Sequence, residues 1–307
     1  MSSVNPIPEL ENQEEHLKQL AAQRQLYSEA KTTLAWQIIL VVPVAIGFSL
    51  AAIFFSAFQP WAAAFGLVAS LFDVLWLEKR QGRLSQRAAT IQEMFDCEVL
   101  CLPWPDAKIE DRPQPEEVIA PAARYSRRKP NYSGLRNWYP SRTGDVPLAA
   151  ARIICQRSNL RWDSDLRKRF SAGVCFGLVA LAVVLLIIGL LVGMTLEKFV
   201  YGILAPLQPA FLWGIREYGR ERQTADRLDR MMTQATDLLE KACARTLSDN
   251  EMEQASRVLQ SEIYDHRRTA RTLFDWVYNR WRKQSEDEMT KAVEALVSDC
   301  LKKGAGK

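Results

Sequence analysis

The sequence predicts an all-α membrane protein: four transmembrane helices in two hairpins, with cytosolic helical and loop regions before, between and after them. Three observations predict it. Residues 32–72 and 171–196 carry no charged side chain, whereas the rest of the 307-residue chain is rich in Arg, Lys, Glu and Asp. A bilayer core of about 30 Å takes roughly 20 helical residues, so the first stretch is long enough for two spans and the second for one. Basic side chains crowd one set of flanks: Lys31, then Lys79 to Arg87, Arg161 to Arg169, and Arg216 to Arg222.

In chain order, residues 1–32 read as an N-terminal cytosolic helix, polar through Glu9, Glu11, Glu14, Glu15, Lys18, Arg24 and Glu29. This segment lacks the short basic start and immediate apolar stretch of a secretory leader, so the first span is expected to act as its own insertion signal. Residues 33–77 form the first hairpin, with spans at about 33–57 and 60–77 broken at Gln59-Pro60, because proline cannot continue a helix interior. Residues 171–215 form the second. Its first span is about 171–195, Glu197-Lys198 make a tight polar turn, and a short last span of about 199–215 is kinked or re-entrant at Pro206 and Pro209. Four spans leave both termini on one side. The flanking Lys and Arg place that side in the cytoplasm by the positive-inside rule.

Two polar side chains fall inside these spans. Asp73 is either an interfacial carboxylate paired with Lys79 or Arg80, or a pore-lining or inter-subunit group, since a carboxylate within a bilayer is costly. Gln208, between two prolines, is a second candidate for a water-filled path. Small residues recur at helix-contact spacing in Gly173/Gly177, Gly189/Gly193 and Ala62/Gly66/Ser70.

Residues 78–170 are the expected cytosolic sensor or coupling region. Leu84 to Phe95 reads as helix. FDCEVLCLPWP (95–105) contains a short β-like apolar run, and five prolines between 103 and 121 indicate ordered loop or linker. A basic and aromatic stretch, ARYSRRKPNYSGLRNWYPSR (123–142), follows without an acidic residue. A helix over about 146–158 then leads into ARIICQRSNLRWDSDLRKRF (151–170), directly before the third span. Residues 216–307 are the C-terminal cytosolic helical region. Leu228, Met231, Met232, Ala235, Leu238, Leu239 and Ala242 make an apolar stripe at three-four spacing, suited to a core or an oligomer contact. Ser248 to Glu251 form a capping box. EIYDHRRTARTLFDWVYNRWRK (262–283) is a second basic-aromatic cluster, and the tail GAGK is expected to be disordered.

Arginine offers a fixed fork of donors to phosphate, and aromatic rings stack on bases. Basic residues near a bilayer equally meet anionic headgroups. The candidate ligand residues are Arg136, Trp138 and Tyr139; Arg157, Arg161 and Trp162; and Arg267, Arg268 and Trp276. Each has a structural alternative: Trp162 as an interface anchor, for example, or Arg157 paired with Asp163 or Asp165. The 151–170 stretch itself has three readings: a topology signal, a structural collar, or a sensor. The six cysteines lack metal-ligand spacing and read as free thiols of a reducing compartment. Two histidines, no glycine-rich phosphate loop, no HExxH and no Ser/His/Asp set argue against an enzyme, a metal site or a bound cofactor.

Five stretches, QLAAQRQLYSEAK (19–31), LPW (102–104), NWYP (137–140), ARIICQRSNLRWDSDLRKRF (151–170) and IYDHRR…FDWVYNR (263–280), resemble the SMODS-associated four-transmembrane effector family. The resemblance covers nearly the whole chain. It implies a multi-pass protein of the bacterial inner membrane, activated by a cyclic di- or trinucleotide made by a partner nucleotidyltransferase. Such an effector assembles as a homo-oligomer, disrupts the membrane and stops phage propagation by abortive infection. The expected partners are the lipid bilayer, the messenger and further copies of the chain, and not nucleic acid. A constitutive ion-channel subunit, or a membrane scaffold that recruits a cytosolic partner, are the competing classes.

Overall fold

A computed structural model describes residues 5–39, 71–200 and 204–305, together with 43, 44, 47, 64 and 68. Its helices are α1 (Ile7–Leu10), α2 (Glu14–Ile39), α3 (Glu78–Val99), α4 (Pro115–Arg128), α5 (Leu148–Leu191), α6 (Leu196–Phe199), α7 (Ala205–Ala244), α8 (Asp249–Thr269) and α9 (Asp275–Ala305). A π-helical turn, Asp73–Leu77, precedes α3, and 3-10 turns occupy Pro130–Tyr132 and Ser141–Asp145. No β-strand occurs among the described residues.

The chain divides into two compact units. Unit 1 gathers Met1–Ala30, Gly82–Leu166 and Asp226–Lys307. Its core draws Leu17, Leu20 and Leu26 from α2, Ile91 and Phe95 from α3, Ile153 and Ile154 from α5, and Met231 and Leu239 from α7. The polar N-terminal helix of the sequence is therefore a core element: Leu17, Leu20, Ala21, Leu26 and Ala30 are all buried. The stripe Leu228 to Ala242 is likewise core, with Leu228, Met231, Ala235 and Leu239 buried and Met232, Leu238 and Ala242 packed against them.

Several local expectations are corrected. The β-like run at 95–99 is the last turn of α3. Helical geometry continues there because Phe95, Cys97 and Val99 all find buried neighbours. Cys101 then adopts φ 51, and Arg152 donates from Nε to Leu100 O (2.6 Å) and from Nη2 to Cys101 O (2.5 Å), satisfying carbonyls that the helix end leaves free. The proline-rich linker is shorter than expected. Pro115 opens α4, Gln114 and Glu117 form its capping box, and Pro121 lies inside the helix. The loop before it is anchored by buried Trp104, whose Nε1 donates to Ile109 O (3.0 Å). The capping box at Ser248 is present, with Ser248 Oγ accepting from Glu251 N. Helix α9 runs to Ala305, so the start of GAGK continues that helix. The cysteines are not all free: Cys243 of α7 and Cys300 of α9 form a disulfide. Both belong to one buried cluster, a proximity that 57 residues of separation hide from the sequence.

Unit 2 comprises Lys31–Gln81 and Arg167–Ala225. Among the described residues one helix, α5, is long and apolar enough to cross a membrane. Its large side chains from Phe176 to Leu191 are mostly exposed, as lipid-facing residues would be. The expected polar turn at Glu197-Lys198 is instead the short helix α6, and the reversal occurs at Gly193 (φ 66). Only about 17 Å of α7 precedes Arg216 at 1.5 Å per residue, which is short of a bilayer. Spans one and two fall largely outside the described residues, as do Ala62, Gly66 and Ser70 and the side chains of Asp73 and Gln208. Of the small-residue pairs, Gly189 lies against the Phe199 ring and Gly193 makes a turn, while Gly173 and Gly177 face open space in the single chain. The close approach the sequence did not mark is Gly214 of α7 against Leu178 of α5, where an added Cβ would meet Leu178 Cδ2 at 2.6 Å.

A candidate sensing and coupling site

Polar side chains meet inside unit 1 where α3, α5, α8 and the segment before α5 converge. Glu93 and Asp96 are three residues apart on α3 and so share one helix face. Both carboxylates are wholly buried. Asp96 Oδ1 accepts from Tyr139 Oη (2.8 Å), and Oδ2 accepts from Gln260 Nε2 (2.8 Å) and Arg267 Nη1 (2.5 Å). Glu93 accepts from Arg257 Nη2 and from Gln260 Nε2 (2.9 Å). Helix α8 supplies Ser256, Arg257, Gln260 and Arg267, and α5 supplies Gln156 and Asn159. Gln156 Nε2 donates to Gln260 Oε1 (3.1 Å) and Ser256 O (2.9 Å), while Asn159 Nδ2 donates to Tyr139 Oη (3.2 Å).

Two buried carboxylates face two guanidinium groups, so the junction is electrically neutral. That balance is what allows charge in a dry interior. Burial, with Asp96 adding to it, raises the Glu93 pKa from its ordinary value, against the pull of Arg257. Burial drives the Tyr139 hydroxyl far above its ordinary value, so it stays a donor. Burial alone would lower Arg267, but the Asp96 carboxylate and Tyr139 hold it above its ordinary value. Cys97, beside Arg257 Nη1 (3.1 Å), is pushed up to about 12, chiefly by burial, and is an unreactive thiol. On the far side of Tyr139, its N–H donates to Glu11 Oε2 (2.7 Å), and burial raises that carboxyl to about 7.

The predicted site residues are distributed around this junction. Tyr139 and Arg267 lie in it, joined through Asp96. Trp138 is half-buried at its edge, with the Arg24 guanidinium 5.3 Å over its ring. Arg136 is exposed. Arg157 is half-buried and donates from Nε to Thr236 Oγ1 of α7 (3.0 Å), not to Asp163 or Asp165. Burial and then neighbouring Arg161 lower its pKa. Arg161 pairs with Asp165 (2.7 Å) and Asp163 with His266 (2.5 Å). Trp162 is half-buried, and Arg268 is exposed, over the Tyr264 ring at 5.8 Å and 3.6 Å from Asp265. The Trp276 side chain lies outside the described residues, so of the three candidates named in the second basic-aromatic cluster only Arg267 and Arg268 are placed.

Sequence reasoning missed Glu93, Asp96, Arg257, Gln156 and Gln260. Their helical spacing is present, but a polar helix face reads as solvated until its partners from other helices are known. In unit 2 it gave Arg167 a role in topology within a stretch whose collar and sensor readings stayed open, and named no partner for it. The structure buries Arg167 against Glu221 of α7, Nη1 to Oε2 at 2.5 Å, beside buried Ser171.

The sequence model of the family described as SMODS-associating 4TM effector domain matches residues 5–296. A Bacillus cereus (strain VD146) protein described as a probable CBASS effector molecule is similar to this chain, 24% identical over 287 residues, covering 91% of this chain and 94% of that protein. No solved structure matches the chain significantly.

Proposed function

Because the chain belongs to the SMODS-associating 4TM effector family, we propose that it is a membrane effector of antiphage defence, switched on by a cyclic oligonucleotide to open or disrupt the inner membrane. The description of its Bacillus relative as a CBASS effector supports the defence role. The observation that carries the mechanism is the continuity of α5. One unbroken helix, Leu148–Leu191, begins among the buried polar groups of unit 1 and ends as the exposed apolar helix of unit 2. At 1.5 Å per residue it is about 66 Å long. A continuous helix gives a rotation or shift at its first turns a covalent, hydrogen-bonded route toward the span.

In unit 1 the cytosolic end of α5 is held by Gln156, Asn159 and Arg157 through directed hydrogen bonds. A messenger acts only by binding one arrangement of these contacts more tightly than another. Arg157 is poised for this. It is a guanidinium partly withdrawn from water beside Arg161, with a hydroxyl rather than a carboxylate as its hydrogen-bond partner. Several copies then assemble through spans whose Gly173 and Gly177 face open space in the single chain.

The cellular test co-expresses the chain with an active or an inactivated partner nucleotidyltransferase and follows membrane potential with a voltage-sensitive dye. Depolarisation that requires the active enzyme supports the reading. Equal depolarisation with the inactive enzyme identifies a constitutive channel instead, and an unchanged potential with both identifies a scaffold.

A further inference from the structure

Unit 1 carries a second basic-aromatic arrangement on its surface, separate from the buried junction and connected to it by one peptide bond. Helix α4 ends in Arg127, Arg128 and Lys129, all exposed. The chain then turns tightly and returns through Arg136 to Trp138. Among the described residues none of these four cations has an ion pair or hydrogen bond from its side chain. Elsewhere on this part of unit 1 the cations are matched: Arg124 to Glu29 (2.9 Å) and Arg142 to Asp145 (2.8 Å). Arg127, Arg128 and Lys129 are consecutive, so their unmatched charges repel one another, a cost that a bound anion reverses.

The turn is held in an uncommon shape. Asn131 (φ 57), Tyr132 (φ 54) and Asn137 (φ 50) lie in the left-handed region with Gly134 (φ 81), and the described residues hold only two other non-glycine cases, Cys101 and Arg245. A tyrosine there is disfavoured and persists only where its surroundings impose it. They do so visibly. Asn12 Nδ2 donates to Asn137 Oδ1 (3.0 Å), and Asn137 N donates to Asn12 Oδ1 (3.1 Å). Tyr132 and Trp138 pack on the core, and Arg24 of α2 lies over the Trp138 ring. The turn is thus preorganised: fixed rings, a planar guanidinium stacked on one of them, and unmatched cations at its two ends. Such a set fits a ligand that combines phosphodiester charge with a flat ring.

We infer that this face, Arg24, Trp138, Arg127, Arg128, Lys129 and Arg136, is a phosphodiester-binding site that docks the activating messenger. The inference rests on the messenger reading above and gives it a location. It also supplies a route inward. Trp138 is followed by Tyr139, whose hydroxyl sits between Asp96 and Asn159 of α5. A ligand that re-seats Trp138 displaces Tyr139 and so the hydrogen bond that holds α5.

The test uses the full chain in nanodiscs of zwitterionic lipid. Binding of a panel of cyclic di- and trinucleotides is measured by titration at low and high salt. Wild type, Arg127→Gln/Arg128→Gln, Trp138→Ala and Trp138→Phe proteins are compared, each checked for wild-type helicity. The expected result is at least tenfold weaker binding in the double Arg variant and in Trp138→Ala, recovery in Trp138→Phe, and weakening of wild-type binding with salt. Wild-type affinity retained in both damaging variants overturns this location and leaves the messenger reading standing. If wild type binds no member of the panel, the messenger reading fails. The same nanodiscs are then co-sedimented with phosphatidylglycerol vesicles. Adhesion lost in the double Arg variant keeps the face as a phosphodiester site for lipid headgroups, and adhesion equal to wild type removes it.

Discussion

Removing the charge of Asp96 tests the buried junction most severely. Its carboxylate is fully buried and accepts three hydrogen bonds, from Tyr139, Gln260 and Arg267. In Asp96→Asn the amide oxygen can take the place of Oδ2 and keep Gln260 and Arg267. The Tyr139 hydroxyl can rotate to accept from the new amide. Most hydrogen bonds survive, and what is lost is charge. Glu93 then faces both Arg257 and Arg267, leaving one unit of positive charge unbalanced in the interior. Breaking a buried pair this way costs about 3–5 kcal/mol. For a unit of this size each kcal/mol moves the melting temperature by roughly 2–4 °C, so unit 1 should melt about 6–20 °C lower. Arg267→Met leaves the opposite imbalance and should cost a similar amount. The double variant restores neutrality, so its cost should fall at least 1 kcal/mol short of the sum. Thermal melting and pulse proteolysis of the detergent-solubilised full chain read both quantities. A single-variant loss under about 1 kcal/mol, or strict additivity in the cycle, would refute the claim that these charges are balanced in a dry site.

Other perturbations have equally definite outcomes. Glu11 has a folded pKa raised to about 7 by burial, so its stabilising protonated form is fully present below about 4.5 and is lost as pH rises through 7. Glu11→Gln should remove about 3 kcal/mol of pH dependence across that window and stabilise unit 1 at pH 8, as melting against pH will show. Glu221→Gln removes the buried charge that Arg167 Nη1 faces in unit 2 and should cost about 3–5 kcal/mol, with partial recovery in Arg167→Met/Glu221→Gln, read by hydrogen exchange in α5 and α7. The Cys243–Cys300 bond closes a 57-residue loop, so Cys243→Ser should cost about 4 kcal/mol relative to the oxidised protein. Alkylation of unfolded, unreduced protein should label Cys97, Cys101, Cys155 and Cys175 and spare that pair.

The features legible in the sequence were those set by local pattern. An uncharged stretch of membrane length marked the apolar half of α5, three-four spacing marked the α7 stripe as a packing face, and Ser248 with Glu251 marked the start of α8. The illegible ones depend on distant partners. Glu93 and Asp96 look like a solvated helix face until α8 brings Arg257 and Arg267 to them. The run from Phe95 to Val99 is too short for periodicity to separate strand from helix, and burial against the rest of unit 1 decides it. Leu17, Leu20 and Leu26 were outweighed by the charges between them, though their spacing already described an amphipathic helix. For the site, Tyr139 was chosen for its ring and proved to be core, whereas Trp138 beside it remains at the surface. Adjacent residues on a turn face opposite ways, and composition cannot say which.

The central claim is that a cyclic oligonucleotide makes this chain permeabilise a membrane. Its most direct test is purified full-length protein in dye-loaded liposomes, challenged with a panel of cyclic di- and trinucleotides. The account predicts release with at least one of them, none without ligand, and strongly reduced release in Arg157→Ala protein that still inserts. Release without any ligand, or none with any of them, would contradict it.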